Sequence, residues 1–259
     1  MPLPDEPDIT LSEQDGVRYL HFGTEWVQGA MRLDEPDVIE IEYVRQMMAW
    51  LLFLRSAQTV LQLGLGAGAL TRFCHRQLPD AKVTVVDASA RVIEACRRWF
   101  RLPANDSRLQ VLHAEAGAYL KHLDPQSVGV IQCDLYDAEA RGPVLDSLSF
   151  YQDCYRALRD PGVLVVNLFG SSRPAFERSA ARIDQAFEGR VLELPQTIAG
   201  NIVLLAFRGP SFAARWSLLE ERASVLQQTL GLDAPDWIRG LRRRAAPGSA
   251  MLRVGIGAR

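Results

Sequence analysis

From Thr59 onward the chain repeats one unit: a short apolar run, a turn, then an amphipathic stretch. "TVLQLG" leads into "ALTRFCHRQL", "KVTVVD" into "ARVIEACRRWF", "LQVLH" into "AGAYLKHL", and "VGVIQC" through a loop into "LSFYQDCYRAL", after which "GVLVVNLF" follows as a fifth run. Apolar strands alternating with helices of this length form a parallel sheet covered on both faces, joined by right-handed crossovers. A helix around Phe176 to Phe187 comes next, and then "RVLEL" and "NIVLLAF", separated only by "PQTIAG". Six residues are too few for a parallel crossover, so this last pair is antiparallel. The expected fold is therefore α/β, with a seven-stranded, mostly parallel sheet that ends in an antiparallel hairpin.

The remaining sequence divides around that unit. Residues 1–55 read as an N-terminal cap: "VRYLHFG" and "EWVQGAMRL" alternate as a β-hairpin, and "VIEIEYVRQMMAWLLFL" reads as one linking helix. Residues 56–209 form the Rossmann-like domain, and 210–259 a helical tail, "AARWSLLEERASVLQQTL" and "DWIRGLRRR", that frays at its end. With 48% hydrophobic residues in 259, the chain buries a substantial core. Its 29 basic and 31 acidic residues give no global field for nucleic acid or an anionic membrane. Small molecules and other protein chains are the expected partners. The apolar run "MMAWLLFL" is too short to span a bilayer, and "MPLPDEPDIT" lacks the basic flank and apolar stretch of a secretory signal, so a cytoplasmic location is expected. Cys74, Cys96, Cys133 and Cys154 contain no CxxC pair, and His21, His75, His113 and His122 show no ligand spacing. Reduced thiols and no metal site follow. "RGLRRR" reads as a solvated face or an interface element.

Three features carry chemistry. Gly64, Gly66 and Gly68 follow a strand directly and open a helix, so backbone can approach a ligand there. The same letters fit a dinucleotide fingerprint through Gly64, Gly66 and Ala69, and the turn alone does not choose between nucleotides. Asp87 ends the second strand, where an acid accepts hydrogen bonds from ribose hydroxyls; its other use is to cap the helix starting at Ala90. The fourth strand runs into "DLYDAEARGP", which puts Asp134 and Asp137 beyond the C-terminal edge of the sheet, where open α/β folds bind ligands. Two acids there hold a cationic amine and take its proton, while the alternative is that Asp134 caps a helix or pairs with Arg141.

The parallel sheet closed by an antiparallel hairpin has the outline of the class I S-adenosylmethionine-dependent transferases, and residues 21–207 resemble the spermidine synthase family of polyamine aminopropyltransferases, in particular its short bacterial spermidine-synthase-like branch. The resemblance implies a small β-cap on the transferase domain and a homodimer. It implies S-adenosylmethionine or its decarboxylated form as co-substrate, without metal, and a small-molecule amine as acceptor. By the same resemblance Gln28 of "EWVQGAMRL" touches the donor's sulfonium end, Asp87 holds the ribose, and Glu115 of "HAEAGAY" meets the adenine amino group with Ala116 against the base. "DLYDA" matches the two acids of the family's catalytic loop, which makes Asp134 the base and Asp137 the group that orients the amine. Tyr43 of "EYVRQMM" falls in the acceptor pocket.

The departures point to a different donor preference. The family's glycine turn carries an aspartate for the amine of the decarboxylated donor, and here that position is Ala67. The tyrosine and proline of the polyamine pocket give way to "TIAGN" from Thr197, and Arg45 stands near an acid of the family, a cation better suited to a carboxylate. The expected activity is transfer of an aminopropyl group to an amine with release of methylthioadenosine. A methyltransferase, or a non-catalytic binding module on the same fold, are the alternatives.

Overall fold

The computed structural model describes residues 6–54, 59–136, 143–170 and 172–255. The chain opens with a three-stranded antiparallel sheet, β1 (Ile9–Gln14), β2 (Val17–Phe22) and β3 (Val27–Arg32), where the sequence pattern predicts only the last two. All but the first residue of β1 is exposed, so it shows no apolar alternation. What marks it is the Asp15–Gly16 turn: both residues have positive φ, 52° and 78°, as the tight two-residue hairpin requires.

The expected linking helix is broken into α1 (Glu42–Gln46) and a separate tight turn over Ala49–Leu52. The Met47 carbonyl is diverted to the side chain of Gln132, 3.0 Å away. Leu51 N–H bonds instead to Met48, three residues back, which gives the narrower 3₁₀ winding. Met47, Met48, Trp50 and Leu52 are all buried, so tertiary packing overrides the helical pattern here.

The main sheet is built from β4 (Thr59–Leu63), α2 (Ala69–Gln77), β5 (Lys82–Asp87), α3 (Ala90–Trp99), β6 (Leu109–His113), α4 (Ala116–His122), β7 (Val128–Cys133), α5 (Leu148–Ala157), β8 (Leu158–Phe169), α6 (Arg173–Ala186), β9 (Val191–Glu193) and β10 (Asn201–Arg208). Its strand order is β6-β5-β4-β7-β8-β10-β9, parallel from β6 to β8, with β10 antiparallel to both its neighbours. The order reverses between β4 and β7, which is the switch point where such sheets open a crevice at their C-terminal edge. One apolar core lies on each face of the sheet.

After β10 the tail forms β11 (Phe212–Arg215), α7 (Trp216–Leu230), α8 (Ala234–Arg244) and β12 (Met251–Val254). The end that was expected to fray returns to pair with β11, because Leu252 and Val254 are buried against the same core as Trp216 and Leu219.

Candidate active site

At the switch point the turns after β4 and β7 are packed against each other. Gly64 N–H donates to Val86 O, and Asp134 N–H to Leu63 O, each at 2.9 Å. Gly64 has φ of 90°, and a Cβ there would stand 2.3 Å from the Asp134 carbonyl oxygen. Only glycine lets the two turns approach this closely. Gly66 is covered from the other side by β3, whose Gln28 carbonyl would lie 3.0 Å from a Cβ at Gly66. Gly68 takes the left-handed conformation at the start of α2. The turn's own carbonyls are tied down: Cys96 donates its thiol to Gly66 O at 3.0 Å, and the buried Arg72 donates to Ala67 O at 2.6 Å, to Phe100 O and to Pro36 O.

Asp87 closes this turn from β5. Its Oδ2 accepts from Leu65 N–H at 2.8 Å and its Oδ1 from Ser89 N–H at 2.9 Å. The cap of α3 is supplied by Ser89, whose Oγ accepts from Val92 N–H at 3.1 Å, so Asp87 does not serve as that cap. Burial raises the Asp87 pKa, and the bonds from Ser89 and Leu65 work against that rise. Glu6, from the N-terminal segment, bonds to Ser89 Oγ and to Ala90 N–H beside it. Glu115 caps α4, accepting from Gly117 N–H at 2.8 Å and Ala118 N–H at 2.6 Å, and Ala116 is buried next to it.

Asp134 stands just past β7. Its Oδ2 accepts from the Tyr43 hydroxyl of α1 at 3.1 Å and its Oδ1 from Asn167 Nδ2 of β8 at 2.9 Å. Asn167 Oδ1 in turn accepts from Asn201 Nδ2 of β10 at 3.1 Å, and Asn167 O from the Tyr136 hydroxyl at 3.1 Å. Burial pushes the Asp134 pKa up, against the lowering effect of its two hydrogen bonds. The same burial, with Asp134 nearby, holds the Tyr43 and Tyr136 hydroxyls neutral. Helix capping does not account for Asp134, whose carboxylate is turned to Tyr43 and Asn167; Arg141, its other suggested partner, and Asp137 lie outside the described residues.

The sequence pattern alone does not single out Asn167 and Asn201. The available signal was a lone amide inside the apolar "VLVVNLF", because a polar side chain in a buried strand needs a partner. Two of the sequence departures also change meaning. Arg45 is not a spare cation at the pocket: its Nε donates to Asp233 Oδ2 at 2.7 Å and its Nη1 to the Ile39 and Glu40 carbonyls. Ala67 is buried against Gly29, where an added Cβ on Gly29 would come within 2.6 Å of the Ala67 Cβ. Among the described residues no group of three or more His, Cys, Asp or Glu side chains is arranged to hold a metal ion, and no helix is long and apolar enough to cross a membrane.

A reversed sheet with a glycine turn after its first strand and acids after the second and fourth is the architecture of the Rossmann-like transferases, and residues 60–162 match the family model described as a methyltransferase domain. The chain is 33% identical over 237 residues to the polyamine aminopropyltransferase of Chromobacterium violaceum, covering 92% of this chain and 90% of that one. It is 34% identical over 237 residues to the polyamine aminopropyltransferase of Neisseria meningitidis, covering 91% and 89%. The fold superposes on the crystal structure of a probable spermidine synthase from Corynebacterium glutamicum with a TM-score of 0.71 at 21% identity, over 94% of this chain and 95% of the other. The chain belongs to the polyamine aminopropyltransferase family.

That family and fold imply a co-substrate of the S-adenosylmethionine type. The residues present fit it. Each Asp87 oxygen has spent one lone pair on backbone, leaving acceptor capacity for the two hydroxyls of a ribose. The glycine turn brings bare backbone to the same edge of the sheet.

Proposed function

We propose that this protein transfers an aminopropyl group from an adenosyl sulfonium donor to the amine of a small polyamine-type acceptor, releasing methylthioadenosine. The observation that carries this reading is Asp134: a partly buried carboxylate at the switch point, held by Tyr43 and Asn167, with its pKa raised by desolvation. An amine arrives protonated and cannot attack carbon until it loses a proton. Asp134 first pairs with the ammonium and then takes that proton. The freed lone pair attacks the methylene carbon next to the sulfonium as the carbon–sulfur bond breaks, and the electron pair stays on the sulfur of the departing thioether. Asp137 is assigned to orienting the same amine and Tyr43 to keeping the carboxylate aligned. Gln28, Gly64, Gly66, Gly68, Asp87, Glu115 and Ala116 are assigned to the adenosyl group. Positioning in a water-poor crevice supplies most of the acceleration.

For the donor, the reading is weak discrimination. Ala67 offers no acid to an amine, and Arg45 is committed to Asp233 and so offers no cation to a carboxylate. Self-association through the N-terminal sheet, where Trp26 and Val27 are about half exposed, and a cytosolic setting belong to the same proposal. The test is incubation with each donor and with diamines or triamines. Methylthioadenosine together with an aminopropylated amine supports the proposal. S-adenosylhomocysteine with a methylated product replaces it by methyl transfer, and no product with either donor replaces it by a binding module.

A further inference from the structure

Asn201 belongs to none of the chemistry assigned so far, yet it is buried and its amide ends on the residue that holds the base. In the antiparallel pair of β8 and β10, Asn201 lies opposite Phe169 and Asn167 opposite Val203. The two asparagines are therefore diagonal neighbours on one face of the sheet, within reach of each other. Asn201 is anchored through its backbone, its N–H donating to Thr197 Oγ1 at 3.0 Å and its carbonyl accepting from Thr197 N–H at 2.9 Å.

We propose that Asn201 is a positioning residue for the transfer reaction: by donating to Asn167 Oδ1 it fixes which end of the Asn167 amide faces Asp134. An amide has one accepting end and one donating end, and rotating it by half a turn exchanges them. With Oδ1 held by Asn201, Asn167 presents its NH₂ to Asp134 Oδ1. That orientation favours the ionised carboxylate, which only accepts. The opposite orientation presents an acceptor and favours the protonated acid, which donates. The two proton states of Asp134 thus correspond to two orientations of Asn167, and Asn201 biases the pair toward the state that serves as base. The other titratable groups around Asp134 among the described residues are Tyr43 from α1, Tyr136 from the loop after β7 and Cys133 of β7, all pushed upward by burial and so neutral at working pH.

The inference rests on Asp134 being the base, so its test includes a readout that does not need turnover. Isotope-labelled aspartate makes the Asp134 carboxyl visible by NMR, with its signal identified from its loss in Asp134→Asn. Its titration is followed in wild type, Asn201→Leu and, in case the larger apolar side chain impairs folding, Asn201→Ala. The pH profile of kcat is measured in parallel. Removing the donor should move the Asp134 titration and the acid limb of kcat upward by about one unit, with donor Kd unchanged. In an Asn167→Ala background the same change at Asn201 should have no further effect, because Asn201 acts through Asn167. Titration curves that coincide with wild type in the Asn201 variants overturn the inference, as does an equal shift in the Asn167→Ala background. If no variant shows turnover, the transfer assignment fails while the titration still decides the role of Asn201.

Discussion

Replacing Asp134 by asparagine should remove transfer and also the fall in stability with rising pH that the enclosed carboxylate causes. The wild-type carboxylate accepts one hydrogen bond from Asn167 and one from Tyr43. An amide keeps both: its oxygen accepts from Asn167, and its NH₂ donates to the Tyr43 hydroxyl, which turns to accept. In that exchange the Tyr43 hydroxyl hydrogen gives up its acceptor, a cost of the order of a lost hydrogen bond that does not change with pH, whereas the cost of enclosing the charge does. That cost has a definite pH dependence. Burial raises the folded-state pKa of Asp134, so between the unfolded value of about 4 and the folded one, the native state holds a proton that the unfolded state has released. Wild-type stability therefore falls as pH rises through that window. The Asp134→Asn variant lacks this decline. The Tm of the variant minus that of wild type should therefore rise as pH passes upward through the window and level off above it. Thermal unfolding of both proteins at acidic and at mildly alkaline pH measures it, with transfer assayed alongside. Turnover should drop by roughly 10²- to 10⁴-fold, the usual contribution of a general base. A Tm difference that does not rise with pH, or a variant with full turnover, would refute the reasoning.

Asp87→Ala removes the carboxylate that accepts from Leu65 and Ser89; Tm should fall by an amount equivalent to about 1–3 kcal/mol, and adenosyl ligands should bind at least tenfold more weakly by calorimetry. Gly64→Ala places a methyl 2.3 Å from the Asp134 carbonyl at a φ of 90°, so loss of more than about 2 kcal/mol together with loss of transfer is expected, read by denaturant unfolding and turnover. Arg45→Ala breaks the partly exposed pair with Asp233; donor Kd values for the carboxylated and decarboxylated forms should keep their wild-type ratio, and a change in that ratio would return Arg45 to the donor pocket.

The main sheet is legible in the amino-acid sequence because its signals are local. Apolar runs spaced by amphipathic stretches require parallel crossovers, and a six-residue connection forbids one, so the order of strand types follows from chain geometry alone. The glycine turn, Asp87 and Asp134 are legible for the same reason: each is a residue type with a meaning at the end of a strand. What the sequence could not decide was every pairing set by tertiary contact. Tyr43 reaches Asp134 across 91 positions, Asn201 reaches Asn167 across 34, and Arg45 is claimed by Asp233 across 188. The break after α1 depends on a side chain 85 positions away, and β12 forms only because β11 and the core under Leu252 are there to receive it. Periodicity records which face of a segment is apolar, whereas hydrogen-bond partners of buried polar groups are chosen after the strands have been ordered. The surroundings of Asp134 therefore belong to the tertiary structure: its position follows from the end of β7, whereas its partners Tyr43 and Asn167, and Asn201 behind Asn167, are brought beside it by the packing of α1 and the antiparallel end of the sheet.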